Sequence, residues 1–384
     1  MSNIKIKTLT PVHIGSGNLL YNNSDFISEQ IDDEEYLVII SEDKIGKLLG
    51  NKSSQFIDLW LQTIIKKEDI KQFISKFAPN AVVEDYAKRK IIMFSKVNPN
   101  DTLKECIHNG MGLPYIPGSS IKGAIRTAIL ASLAYQVEEL DDKIIVKIKD
   151  RDDNFVPKKD KYGNILVNAN QVEQKLFGKD PNSDVFRFIQ VGDAYFEKET
   201  EIATRIVNLN IRQSNDNLQD NSKPQIVEAI GTEAESEFQL KVSKEYYDFV
   251  KKEYSPTGNL PVSSIGDLFR LINEHTRKLV EEEINYWNDV GKKKTGGTDY
   301  IEEMQKILKE INSCVAGKSC VLRIGHASGW RFITGAWTET LQNFKEIIVP
   351  ASRPNNRNYE DYDFPKTRRL DEDSYILGFV KLTI

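Results

Sequence analysis

The sequence predicts an α+β fold, and three observations carry that expectation. At the start, Ile4, Ile6 and Thr8 alternate with Lys5 and Lys7, then Pro11-Val12-His13-Ile14 runs into Gly15-Ser16-Gly17. That is the pattern of a half-buried strand entering a glycine turn. Further on, Leu113-Pro114-Tyr115-Ile116-Pro117-Gly118-Ser119-Ser120 leads into a helical run over 121–135, giving strand, turn and helix in succession. The closing segment, 375–384, is apolar enough to complete a sheet begun earlier.

The remaining elements follow in order. A strand is predicted at 36–40. Ser53 or Ser54 caps a helix whose apolar face is Phe56, Leu59, Trp60, Ile64, Ile70, Phe73, Ile74 and Phe77, with Pro79 as its stop. Residues 150–163 read as a charged loop. Strands are predicted at 188–191, 204–209 and 238–242, and the polar tract 212–224 between the last two suggests a protruding hairpin, with a disordered loop as the competing reading. Ser264 caps a helix carrying Ile265, Leu268, Phe269, Ile272, Leu279 and Ile284. A second helix carries Ile301, Met304, Ile307, Leu308 and Ile311. The expected division is a domain over 1–245, with the hairpin near 209–238, and a helical, glycine-loop domain over 246–384 whose last strand can return to the main sheet.

Composition narrows the function. The chain has 384 residues, 40% hydrophobic and 28% charged, which suits a globular protein of two modest domains. A net charge of −5 excludes a binder that holds nucleic acid through a global positive field, so any such site is a local patch. Cys106, Cys314 and Cys320 form no CxxC pair, and the four histidines have no zinc spacing, so no metal or cofactor is expected. The first residues lack a signal-peptide run and no stretch is long enough to span a bilayer, which predicts a cytoplasmic protein with no membrane partner.

Two glycine-rich segments carry positive charge with no acid beside them. Residues 111–134 hold Lys122 and Arg126 and no Asp or Glu; residues 318–337 hold Lys318, Arg323 and Arg331 and again none. In the first, Gly118 and Gly123 permit close backbone approach, Ser119 or Ser120 opens the helix, and Lys122 and Arg126 share one face. Such a device grips phosphates and reads no base. The competing reading is a plain helix cap. In the second, Arg323, His326, Ser328, Gly329, Trp330 and Arg331 place cations, polar donors and an indole in one turn, a combination suited to single-stranded RNA. The competing reading makes Trp330 and Trp337 core anchors and leaves the arginines solvated.

The run Pro114-Tyr115-Ile116-Pro117-Gly118-Ser119-Ser120-Ile121-Lys122-Gly123-Ala124-Ile125-Arg126 resembles the signature of RAMP-superfamily subunits of type III CRISPR effectors. Thr10-Pro11-Val12-His13-Ile14-Gly15-Ser16-Gly17 is similar to the strand-to-loop element that accompanies it, and Ile324-Gly325-His326-Ala327-Ser328-Gly329-Trp330 to their late glycine loop. With Pro365-Lys366-Thr367-Arg368-Arg369, the likeness is closest to type III-A (Csm) complexes. The resemblance implies an RRM-like, ferredoxin-like core with a second related or lid domain. It also implies a thumb hairpin laid across a guide–target duplex. The implied partners are the 3′ region of a CRISPR RNA, target RNA, and neighbouring backbone and small helical subunits. The implied role is a non-catalytic one, stabilising the guide's 3′ end and contributing to its maturation.

The RNA-binding candidates are therefore His13, Gly15, Ser16, Gly17, Gly118, Ser119, Ser120, Lys122, Gly123, Arg126, Arg205, Arg212, Arg323, His326, Ser328, Gly329, Trp330, Arg331, Lys366, Arg368 and Arg369. No residue is expected to be catalytic. Asp25 lacks the context of the cutting subunits and reads as structural. The alternative function is a metal-independent endoribonuclease acting on precursor CRISPR RNA through His13, with Tyr21 or Lys122 nearby.

Overall fold

The structure, a computed structural model, describes residues 1–50, 54–66, 68–210, 225–254, 258–291, 297–352, 364–365 and 367–384. Along the chain, β1 (Ser2–Thr8) leads to β2 (Gly15–Tyr21), β3 (Phe26–Ile31) and β4 (Glu34–Ile40). Helices α1 (Glu42–Gly50), α2 (Ser54–Ile65) and α3 (Ile70–Phe77) follow, then β5 (Ala87–Met93), β6 (Thr102–Cys106) and β7 (Tyr115–Ile116). Next come α4 (Gly118–Leu133), α5 (Leu140–Lys143), β8 (Lys147–Lys149), β9 (Phe155–Pro157) and α6 (Asn170–Phe177). The middle holds β10 (Ile189–Val191), β11 (Ala194–Tyr195), β12 (Glu201–Asn210), β13 (Gln225–Ile230) and β14 (Glu235–Val242). Then α7 (Lys244–Tyr254), α8 (Ile265–Tyr286) and α9 (Gly297–Ser313) precede β15 (Ser319–Arg323), β16 (Thr367–Asp371) and β17 (Phe379–Thr383).

The first sheet has the order β10-β14-β1-β17-β15, antiparallel throughout. With α4 joining β1 to β10 and α8 following β14, the path β1-α4-β10-β14-α8-β17 is the split βαβ, ferredoxin-like arrangement, and β15 is an added edge strand. Its core is set by two periods meeting. Every second residue of the strands (Ile4, Ile6, Phe238, Leu240, Val380, Leu382) packs with Ile121, Ile125 and Ile129 of α4 and Leu268, Phe269 and Ile272 of α8. The intervening residues Val321 and Phe379 enter a second cluster with Tyr300, Met304 and Ile307 of α9.

The second sheet has the order β2-β6-β13-β12-β5-β4-β3, with β16 extending β12 from Ile206↔Asp371 to Asn210↔Thr367. Helices α1–α3 cover it through Trp60, Ile70, Phe73 and Ile74 against Ile27, Val38 and Ile40. The α+β expectation and the ferredoxin-like core stand. β12 and β13 pair antiparallel as the stem of the expected hairpin, whose tip, with Arg212, lies outside the described residues.

Two expectations need correction. The helix read across 54–77 is two, because Asp69 caps α3 by accepting from the Lys71 and Gln72 amides. The charged segment 150–163 is not a plain loop, since β8 and β9 pair as a hairpin. Across the expected division at 245–246, the last strand β17 pairs with β1, the return to the main sheet that the sequence allowed, while β15 joins the same sheet and β16 extends β12. No described helix is long and apolar enough to cross a membrane.

Candidate nucleic-acid interface

The chain passes from the first sheet to the second through residues 10–14, and the late glycine loop closes over that passage. Val12 bridges Ile230, exchanging two backbone bonds of 2.9 Å. His13 is buried, and its Nδ1–H donates to the Glu228 carbonyl at 2.6 Å. This fixes the tautomer and leaves Nε2 as an acceptor facing Gly15, where a Cβ would lie 3.1 Å away. Gly325 holds φ +78°, and a Cβ there would sit 2.6 Å from the His13 carbonyl oxygen, so only glycine lets the loop come this close. The next amide, of His326, donates to that same oxygen at 2.9 Å.

The two imidazoles meet edge to face, 5.6 Å between centroids. Arg369 of β16 donates to His326 Nε2 at 2.9 Å. Ala327 anchors the loop among Ile206, Val227 and Leu377. Burial, with Arg369, Lys104 and His13 nearby, pushes the His326 pKa down to about 3, and burial also lowers that of His13. Both rings are therefore neutral at physiological pH. Lys104 of β6 is half-buried, its pKa lowered by burial and by Arg369, and no described carboxylate lies within ion-pair distance of it. Beside this group, Gly15, Ser16 and Gly17 form an exposed edge strand that bulges away from β6. Two cations, two neutral imidazoles and an open strand edge thus converge where three chain segments cross. The set can bind phosphates and hydrogen-bond ribose hydroxyls, but it lacks an imidazolium to serve as general acid.

The start of α4 differs from expectation. Pro117, not a serine, precedes the helix, and the Gly118 amide already donates to Asp193 Oδ1 at 2.7 Å, so a protein carboxylate occupies the helix's positive end. Ser119 is exposed and the Ser120 amide returns to the Pro117 carbonyl at 2.9 Å. Gly118 is required because the β10 backbone at Val191 presses against its α-carbon. Arg126 is neutralised by Glu173 at 2.8 Å and Asp184 at 2.9 Å, over the rings of Phe177 and Phe186. Lys122 is half-buried, its pKa lowered by desolvation, and forms no ion pair among the described residues. Gly123 meets nothing within 4 Å. The helix lies beside the late loop, since the Thr127 hydroxyl donates to Ile333 O at 3.1 Å.

The arginines of the second segment are largely internal. Arg323 is buried between Phe332 and Phe379 and donates to the Leu377 carbonyl at 3.0 Å. Arg331 pairs with Glu283 and Glu339, each at 2.8 Å. Arg368 pairs with Glu283 at 2.5 Å, and Arg205 with Asp101 at 2.5 Å and Glu372 at 2.9 Å. Trp330 packs on Phe344 and Phe364, with Gly335 against its ring, so it is a core anchor and no open stacking platform. The Ser328 hydroxyl donates to the Ile324 and Gly325 carbonyls, at 3.0 and 2.8 Å, and Gly329 turns at φ +80°. Ser16 donates to Glu105 at 3.1 Å. Arg126, Arg205, Arg323, Arg331 and Arg368 are thus each engaged within the fold, and Trp330 is packed against Phe344 and Phe364; Lys366 lies outside the described residues. Asp25 closes a turn by accepting the Tyr21 amide at 2.8 Å.

Lys104, Arg89, Glu228 and Glu283 were not singled out from sequence, because each acts through contacts between distant strands and helices. His108, Glu201 and Glu228 form the one described cluster with metal-ligand geometry. Glu228 does not fit that role, as its two oxygens take Arg89 at 2.5 Å and the Cys106 amide at 2.7 Å.

Fold and junction together define a ferredoxin-like protein with glycine-loop elements, and a sequence profile of the RAMP superfamily matches residues 5–332. The chain belongs to the RAMP superfamily. It is 24% identical over 99% of its length to the "CRISPR system Cms protein Csm5" of Methanocaldococcus jannaschii, covering 88% of that protein. A protein of the same description from Streptococcus thermophilus is 27% identical over 33% of this chain and 37% of its own. Among solved structures, a chain of a Csm–crRNA–target RNA ternary complex from a type III-A CRISPR-Cas system superposes with TM-score 0.70 at 21% identity, covering 100% of both chains. The crystal structure of T. onnurineus Csm5 gives 0.60 at 18% identity over 98% of this chain and 99% of that one.

Proposed function

We propose that this chain is the guide-RNA-binding end subunit, subunit five, of a type III-A (Csm) CRISPR effector complex. It holds the backbone of the CRISPR RNA near its 3′ end without cutting it, and works in the cytoplasm beside target RNA, backbone subunits and small helical subunits. The observation that carries this reading is the junction of His13, His326, Lys104 and Arg369 beside the open Gly15-Ser16-Gly17 edge. Its cations address phosphate, so binding is independent of base sequence. Gly123 supports the same reading. A glycine inside an exposed helix costs about 1 kcal/mol relative to alanine, and nothing in the isolated chain repays it. Gly123→Ala is therefore expected to raise the thermal stability of the isolated chain and to weaken its binding to single-stranded RNA. An unchanged affinity would remove α4 from the RNA path.

The edge-to-face histidine pair also favours a second reading, an endoribonuclease acting on precursor RNA. The purified chain incubated with labelled repeat RNA, with and without a chelator, separates the two. The binding reading expects intact RNA in both arms; metal-independent cleavage lost in His13→Ala would establish the nuclease.

A further inference from the structure

Where the turn after β16 meets β12 and the β13–β14 connection, the surface opens into a cavity of about 690 Å³ whose lining includes Phe94, Glu199, Glu233, Asp371, Asp373 and Tyr375. Asp371 lies at its buried end, with 6% of its surface exposed. Its Oδ1 accepts the amides of Asp373 at 3.0 Å and Tyr375 at 2.8 Å. Among the described residues, no lysine, arginine or histidine lies within ion-pair distance of this carboxylate. Arg205, beside Ile206 to which Asp371 is paired, is committed to Asp101 and Glu372.

The rest of the lining adds negative charge. Glu233 shares Lys7 at 2.5 Å, while Glu199 and Asp373 are exposed and have no described cation partner. Phe94 and Tyr375 present aromatic surface, 61% and 49% exposed. Burial first, then Asp373 and Glu303 as neighbouring charges, raises the Asp371 pKa to about 7. A carboxylate buried without a counter-charge destabilises the chain that carries it. An acidic floor between aromatic rings suits a guanidinium or ammonium group, which gains both an ion pair and cation–π contact. The same field repels phosphate, so this cavity is not part of the RNA path.

We propose that the cavity is the docking site for an arginine or lysine side chain presented by another protein chain of the assembly. The proposal rests on the assembly reading above. Its test is carboxylate labelling with a carbodiimide and glycinamide, applied to the isolated chain and to the complex purified from its native cells. Labelling of Glu199 and Asp373 is expected to fall several-fold in the complex. The isolated chain serves for two further arms, one with spermine and one with single-stranded RNA. Protection by either alone overturns the proposal, in favour of a small polycation or of RNA.

Asp371→Asn keeps the Oδ1 acceptor and removes the charge. Because the folded carboxyl holds its proton up to about 7 whereas the unfolded group ionises near 3.8, the destabilisation is absent below 3.8, grows through that window and is full above it. The variant is thus expected to melt higher than the parent at pH 8, yet to lose partner chains roughly tenfold more readily in a salt wash of the complex. A lower melting temperature with partner retention unchanged would overturn the proposal. Copurification with other chains but equal labelling refutes the pocket alone, whereas no copurification refutes the assembly reading on which it rests.

Discussion

Glu283→Ala is expected to cost about 3–5 kcal/mol of folding stability, the penalty for stripping one partner from a buried charge network. The Glu283 carboxylate is buried and receives Arg368 at 2.5 and 2.7 Å, Arg331 at 2.8 Å and the Tyr300 hydroxyl at 2.6 Å. It therefore ties α8 to α9, to the late loop and to β16, and its loss leaves the buried Arg368 guanidinium without a counter-charge and Arg331 with Glu339 alone. Urea unfolding of the purified chain at pH 7 measures the effect. Glu310→Ala, which removes only the more exposed Lys381 pair, serves as the comparison, with about 1 kcal/mol or less at stake. The pH dependence has a definite sign. The flanking arginines hold the Glu283 pKa at about 2 against an ordinary 4.5, so this stabilisation is present above 4.5 and is lost as pH falls through about 2. A loss below about 1 kcal/mol at pH 7 would mean the network is not a structural tie.

The second large effect concerns RNA. Lys104→Ala combined with Arg369→Ala is expected to weaken binding of single-stranded RNA on the order of a hundredfold at low salt, two charge-assisted contacts being lost. The loss should be the same for unrelated sequences, and the log–log salt dependence should become shallower by about 1.4, two phosphates' worth on a single strand. Filter binding across a salt series measures both quantities. An unchanged slope, or a loss confined to particular sequences, would exclude phosphate contact at the junction. By contrast, removing Arg323 and Arg331 together is expected to destabilise the fold, because both are internal.

These two predictions show what the sequence could and could not convey. The strand, glycine turn and helix over 115–133 were legible because turn chemistry and helical periodicity are local. So were the Ser264 cap of α8 and the terminal strand, where a single apolar period dominates. Strands β5 and β13 were not, since Lys88, Arg89 and Lys90 interrupt one and the buried Glu228 the other.

Charge was the least legible property. The segments without neighbouring acids looked cationic, yet Arg126 finds its acids 47 and 58 residues away, and Arg331 and Arg368 find Glu283 at 48 and 85. Conversely, Lys104 stands beside Glu105 in sequence, but the two side chains fall on opposite faces of β6. Glu105 is committed to Arg89 at 3.1 Å and Lys104 is left toward the junction. A count along the chain therefore could not show which arginines meet distant acids or that Lys104 is separated from Glu105. His13 and His326 stood out in the sequence because Gly15 and Gly17 follow the one and Gly325 and Gly329 flank the other, marking backbone that must come close to something.

The most direct test of the central claim is photo-crosslinking of RNA within the complex isolated from native cells, followed by sequencing of the RNA and mass spectrometry of the attached peptides. The account predicts short RNAs that share one 5′ repeat tag, crosslinked near their 3′ ends to peptides containing His13, Lys104, His326 or Arg369. Crosslinks confined to other surfaces of this chain, or a complex carrying no RNA, would contradict it.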